Sequence, residues 1–344
     1  MKTTVLDSLN QGLLAALKAD ATVHLLGEDI LDPYGGAFKV TRGCSTAFPE
    51  RVIPTPISEA GLTGVTAGMA LRGLRPVLEI MFGDFTTLVA DQLINHISKF
   101  RWMYNDSVTL PLVIRTPMGG RRGYGPTHSQ SLEKLFMGVP GLTVLAPANF
   151  SIDMHSPGSL LENSILYTDS PVLLIENKMQ YLQPLLTAED LSDFDVELQY
   201  DPSDAEHQYP IYCLRINGAP PAAVTISAYG FCGELARQAQ LKLAFEEEIF
   251  CELIIPTRLS PFAIQPLMES VARTGKCLLV EEGTRSLGWG AEVAALLAET
   301  LGDKLKQVKR LAALETPVPA AVSLEKCMLP QQEDIEALLR KMSA

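Results

Sequence analysis

The feature that most constrains this chain is the way short apolar runs alternate with helical segments. Val23–Leu26, Pro76–Phe82, Pro111–Arg115, Leu142–Ala146 and Pro171–Glu176 each read as a strand. Between them lie an amphipathic helix over residues 3–18, a Gly/Ala-rich helix after Ser58, a helix from Phe85 to about Trp102, and one beginning near Ser159. Strands alternating with helices specify a largely parallel sheet covered on both faces. The alternation lapses over 183–221, where polar residues and Pro184, Pro202, Pro210, Pro220 and Pro221 dominate. It then restarts with strands at Ala222–Ala228, Ile249–Ile255 and Lys276–Val280 and helices near 231–245, 262–274 and 288–301. The expected architecture is two α/β domains, 1–182 and 222–344, joined by a linker with some ordered turns.

Composition narrows the class. A chain of 344 residues can bury two cores, and 47% hydrophobic with 20% charged residues describes a soluble globular protein. With 28 basic against 40 acidic residues the formal charge is −12, which disfavours nucleic acid or an anionic membrane as the main partner. The six cysteines are scattered without a CxxC pair, as suits reduced thiols and offers no zinc site. No apolar run approaches the ~18 residues needed to span a bilayer. A cytoplasmic, or a mature, protein is expected.

The most informative stretch is RVIPTPISEAGLTGVTAGMALRGLRPVLEIMFGDF, from Arg51 to Phe85. Ser58 stands where a helix N-cap is expected, with Glu59 in the first turn beside unsatisfied backbone N–H groups. Gly61, Gly64 and Gly68 each cost a helix up to ~1 kcal/mol relative to alanine, so they call for a close approach by a neighbouring backbone or ligand. Phe85 falls just past the end of a strand, where open α/β sheets place ligands. On residue type alone, Glu59 is a helix-start acid favoured by the dipole.

PISEAG, the helix and LRPVLEIMFGDF together resemble the pyrimidine-binding domain in the beta subunit of thiamine-diphosphate-dependent 2-oxo acid dehydrogenases. The resemblance extends to Gly27-Glu28-Asp29, to the GGAFKVT segment at 35–41, and to THSQS at 127–131. It also covers Glu281-Glu282-Gly283 with Gly288-Trp289-Gly290-Ala291-Glu292, and PVP with LEKCMLP near the end. It implies that Glu59 bonds the N1′ nitrogen of the cofactor's aminopyrimidine and that Phe85 stacks on that ring. Ile57 and Met81 would line the pocket, with Glu28 beside it, and His128 would face the reactive carbon and the substrate. Arg121 and Arg122 in the same loop read either as a solvated basic turn or as groups for a carboxylate or a partner's acid. The second domain is expected to serve assembly rather than chemistry, its glutamate pair reading as a strand-end turn.

Half of the expected site is absent. The diphosphate is held in this family by a GDG motif with asparagines on magnesium, and no GDG occurs here. The resemblance therefore implies an alpha subunit that supplies the diphosphate and Mg2+ site, an α2β2 heterotetramer, and acyl transfer from a 2-oxo acid to a lipoyl acyltransferase core. The same absence excludes a single-chain transketolase or deoxyxylulose-phosphate synthase. The segment 147–170 departs from the family by added length and by an offset Asp169, which leaves the family's structural potassium ion open. A beta-type subunit with an assembly or specialised biosynthetic role, and a non-catalytic α/β binding subunit, are the alternatives. The latter lacks any GxGxxG or GxxxxGK[ST] loop after its first strand.

Overall fold

The structure is a computed structural model that describes residues 2–202 and 209–344. The first sheet takes up β1 (Val23–Gly27), β2 (Val52–Pro54), β3 (Arg75–Glu79), β4 (Val113–Met118), β5 (Thr143–Leu145) and β6 (Val172–Asn177), in parallel. The second holds β7 (Phe194–Gln199), β8 (Ile211–Ile216), β9 (Val224–Ala228) and β10 (Cys251–Pro256). After β11 (Arg258–Ser260) it continues with β12 (Lys276–Thr284) and β13 (Gln307–Ala313). Strand order is β11-β5-β6-β4-β3-β1-β2 in one sheet and β13-β12-β9-β10-β8-β7 in the other. The expected fold class is observed: two mostly parallel sheets with helices on their faces.

The helices are α1 (Val5–Ala19), α2 (Cys44–Ala47), α3 (Glu59–Leu71), α4 (Phe100–Met103), α5 (Pro157–Leu166), α6 (Gly230–Glu247), α7 (Gln265–Thr274), α8 (Trp289–Leu301), α9 (Val322–Met328) and α10 (Gln332–Ser343). Helices α1 and α5 cross so closely that a Cβ on Gly12 would collide with the carbonyl of Gly158. The Ser156 hydroxyl caps α5 through the Ser159 N–H, so the helix starts at Pro157, a little before the expected Ser159.

Two sequence expectations give way. The stretch 183–221 is not simply a linker with turns, because β7 and β8 within it are antiparallel strands on the edge of the second sheet. Phe194, Val196 and Leu198 alternate with polar residues, the period of a strand that buries one face. Positions 203–208 of that stretch lie outside the described residues. The helix expected from Phe85 to Trp102 is instead a 3-10 segment (Gly83–Val89), a π-helical segment (Gln92–Ile97) and the short α4. Tightening and then widening the turn rephases the side chains. Val89, Leu93 and Ile97 stay buried and Ile94 half-buried, whereas Leu88 turns outward.

The two sheets share a core. One apolar cluster runs from Ile80 and Val89 through Phe136 and Leu259 to Trp289 and Val293. Strand β11, which follows β10 of the second sheet, pairs antiparallel with β5 of the first. Loops at the end of the first sheet are thereby held within reach of the second domain.

Candidate active site

Gly27, Pro54, Glu79 and Arg115 align across β1, β2, β3 and β4. The chain just beyond these parallel strands therefore converges on one sheet edge. Glu28 follows β1, Glu59 opens α3 after β2, Phe85 follows β3, the His128 loop follows β4 and Lys178 follows β6. Ligands of open α/β sheets bind at such an edge.

Glu28 and Glu59 are both buried there, 8% and 7% exposed. Ser58 occupies the N-cap position of α3, but its hydroxyl makes no capping bond. Its backbone N–H serves Glu28 instead. Burial pushes the Glu28 carboxyl above its ordinary range, and the charges of Glu59 and then Asp29 add to the rise; the Ser58 N–H opposes it. Among the described residues Glu28 Oε1 is buried without a partner. Two adjoining buried carboxyls, one with an orphan oxygen, can hold and exchange a proton with a basic ring nitrogen. The residues present thus fit the aminopyrimidine end of thiamine diphosphate. Met81 and Phe85 are half-buried and Ile57 is 83% exposed, so the apolar wall is open in this chain.

His128 stands on aromatic rings. Phe82 meets the imidazole edge-on at 4.8 Å and Phe85 at 5.3 Å, while Tyr124 packs on Phe82 at 5.9 Å. Phe85 and His128, two of the expected site residues, are therefore in contact. Thr127 Oγ1 pairs with His128 Nδ1 at 2.9 Å and leaves Nε2 free among the described residues. Gln130 of the same motif donates to Asp84 at 2.8 Å, which ties the loop to Gly83-Asp84-Phe85.

Neither arginine of the loop is a solvated basic turn. Arg121 donates to the Pro330 carbonyl at 2.6 Å and contacts Glu282 at 3.3 Å; Arg122 donates to the Lys178 carbonyl at 2.9 Å. Glu282 also accepts the Gly120 N–H at 2.7 Å, and Glu325 accepts the N–H groups of Arg121 at 2.6 Å and Gly123 at 3.0 Å. Gly119 has φ +96°, and a Cβ there would stand 2.6 Å from Glu282 Oε1, so glycine is required at this turn. The second domain, expected only to assist assembly, also shapes the His128 loop. Sequence reading did not assign Lys178, Glu282 or Glu325 to the site. The two glutamates lie in recognisable motifs, but no local pattern shows that they reach a loop 162 and 204 positions away.

Sequence comparison shows the family. Residues 2–183 match the family described as Transketolase, pyrimidine binding domain, and residues 219–335 match Transketolase, C-terminal domain. The mitochondrial pyruvate dehydrogenase E1 component subunit beta-1 of Arabidopsis thaliana is 35% identical over 96% of this chain and 87% of its own length. The 2-oxoisovalerate dehydrogenase subunit beta of Bacillus subtilis (strain 168) is 31% identical over 98% of each chain. The chain belongs to the family of 2-oxo acid dehydrogenase E1 beta subunits. A solved structure titled split gene transketolase, inactive beta4 tetramer, shares the fold at a TM-score of 0.73 and 20% identity, over 98% of this chain and 97% of its own. Within this beta-type chain the pyrimidine-binding portion carries Glu28, Glu59, Phe85, His128 and Lys178, and the C-terminal portion supplies Glu282 and Glu325.

The end of α5 does not fit a structural potassium ion. The carbonyls of Ile165 and Thr168 and the carboxylate of Asp169 all accept from the Arg75 guanidinium, each at 3.0 Å. A fixed cation already serves these oxygens.

Proposed function

We propose that this chain is the pyrimidine-binding half of a thiamine-diphosphate-dependent 2-oxo acid dehydrogenase, working with an alpha subunit in an α2β2 heterotetramer. The observation that carries the reading is the buried Glu28–Glu59 pair at the carboxyl edge of the first sheet. When bound, thiamine diphosphate supplies the electron sink for decarboxylation. Glu59 presents its carboxyl to the pyrimidine ring nitrogen as the group that would exchange a proton with it, and Glu28, whose carboxyl is pushed up by burial, stands beside it. Phe85 offers the ring face for stacking, with Ile57 and Met81 as side walls. His128, its Nδ1 engaged by Thr127, presents Nε2 as the donor that stabilises charge developing on the substrate side.

The glycine face of α3 supports a partner chain. Among the described residues Gly64 and Gly68 meet no other atoms within 4 Å of a built Cβ, and Val65 between them and Ile57 ahead of the helix are exposed. By the resemblance, the partner holds the diphosphate through Mg2+, and the acyl unit passes to a lipoyl acyltransferase core. Six free cysteines, five of them buried, fit a reducing compartment such as the cytoplasm.

The test is reconstitution. The chain alone should bind thiamine diphosphate weakly and decarboxylate no 2-oxo acid, and an alpha-type partner should restore both. In the complex, His128→Ala should keep cofactor binding and lose turnover. Robust decarboxylation by the chain alone would overturn the subunit assignment. Unchanged rates in His128→Ala with every 2-oxo acid tried would remove His128 from the chemistry.

A further inference from the structure

Lys178 stands one residue past β6, its backbone N–H on the Met118 carbonyl at 3.0 Å. It is 0% exposed. A lysine is almost never fully buried unless a carboxylate pairs with it, because the ammonium gives up its hydration. Lys178 forms no ion pair among the described residues. Its ammonium donates to the backbone carbonyl of His128 and lies over the ring of Phe82 at 5.1 Å and that of Tyr124 at 5.5 Å. Those two rings belong to the bed of the His128 imidazole. One cation therefore grips both the main chain of His128 and the aromatic surface on which its side chain stands.

We propose that Lys178 is a positioning residue for His128, its ammonium fixing the loop and the ring bed that aim the imidazole at the substrate side of the site. A side chain that only filled space there would need neither the charge nor the donor. The ring faces attract the charged form alone, through their quadrupole, whereas the carbonyl accepts from either form. The hold on the rings should therefore weaken once the ammonium loses its proton.

That occurs within reach of ordinary buffers. Burial pushes the Lys178 ammonium down to about 8. Asp84 on the segment after β3, Glu282 on β12 and Glu325 on α9 oppose the drop, while Arg122 in the His128 loop adds to it. The linked stability has the opposite sign. A lysine whose folded value lies below its unfolded one contributes stability that is present above the unfolded value and lost as pH falls through about 8. Raising the pH thus loosens the His128 bed while this linkage favours the folded state, so the two effects are separable.

The inference rests on the proposed role of His128, but its test needs no turnover, so the two can fail separately. The observable is the histidine Cε1–H signals of the full chain by proton–carbon NMR, from about pH 6 to about pH 9.5, a range spanning the ordinary histidine value and that of Lys178. His128→Gln assigns the signal, and His24, His96 and His155 serve as internal references. In the wild type the His128 signal should carry a ring-current shift from Phe82 and Phe85 and show an inflection near pH 8. Lys178→Met should abolish that inflection and most of the ring-current shift while the references stay in place. Lys178→Arg should retain most of the shift and show no inflection near pH 8. A folded Lys178→Met protein with an unchanged His128 signal would overturn the inference. Should Lys178→Met fail to fold, the wild-type titration decides alone: a His128 signal with no inflection near pH 8 overturns it.

Discussion

Glu282 Oε1 accepts the backbone N–H of Gly120 at 2.7 Å, joining the end of β12 in one domain to the turn after β4 in the other. The buried carboxylate of Glu325 adds two bonds to the same turn. Order in the His128 loop is therefore distributed over both domains, and a change far from the sheet edge should be felt at the site.

Glu325→Ala tests this directly. It leaves the N–H groups of Arg121 and Gly123 without their acceptor, at about 1–3 kcal/mol for each donor left unsatisfied. The urea midpoint should fall, and backbone amides 119–125 should lose hydrogen-exchange protection more than those of β9 or β10. Unchanged protection in 119–125 would show that the loop holds its shape without the second domain.

Glu59→Gln separates a catalytic acid from a helix-start acid. A general acid–base group typically contributes ~10²–10⁴-fold, so the reconstituted complex should slow by about that factor. Loss of a charge at a helix N-terminus costs only ~0.3–1 kcal/mol, so the melting temperature should barely move. The deciding measurement is hydrogen exchange at the thiazolium C2 of bound cofactor, followed by NMR. Equal exchange in wild type and mutant, with the cofactor bound in both, would return Glu59 to a structural role.

Glu281 should make stability fall with rising pH. Burial, then the neighbouring Glu133, lifts its carboxyl to about 7, against the N–H groups of Gly290 and Trp289 and the charge of Arg310. A folded value above the unfolded one means that the folded chain binds the extra proton between about 4.5 and about 7. The stability it contributes is full below that window and is lost as pH rises through it, on the order of 3 kcal/mol at most. Urea midpoints at about pH 5 and about pH 8 should therefore differ more in the wild type than in Glu281→Gln. Equal differences would place the titration elsewhere.

Arg75 should make the fold indifferent to potassium. Exchanging potassium for sodium should leave the melting temperature unchanged, whereas Arg75→Ala should cost about 2 kcal/mol by stripping charged donors from the end of α5. A melting temperature that rises specifically with potassium would show that an ion binds there despite the guanidinium.

Several of these features were legible in the residues themselves. Apolar runs alternating with helical periods called for two parallel sheets, since a strand covered on both faces must be apolar throughout. Glu28, Glu59, Phe85 and His128 could be nominated as candidates because each stands in a motif that resembles those of the family. Other features depended on the third dimension. The alternation of Phe194, Val196 and Leu198 marks a strand only when a sheet edge is there to receive it, so β7 and β8 stayed hidden among prolines and polar residues. The rise of the Glu28 carboxyl comes first from its burial and then from the charge of Glu59 beside it, and neither is a property of the residue alone. Lys178 reads in sequence as an ordinary charge after a strand. Its meaning comes from complete burial against the His128 carbonyl and two rings, because desolvation and contact across the fold are set by where the chain returns, which no local pattern encodes.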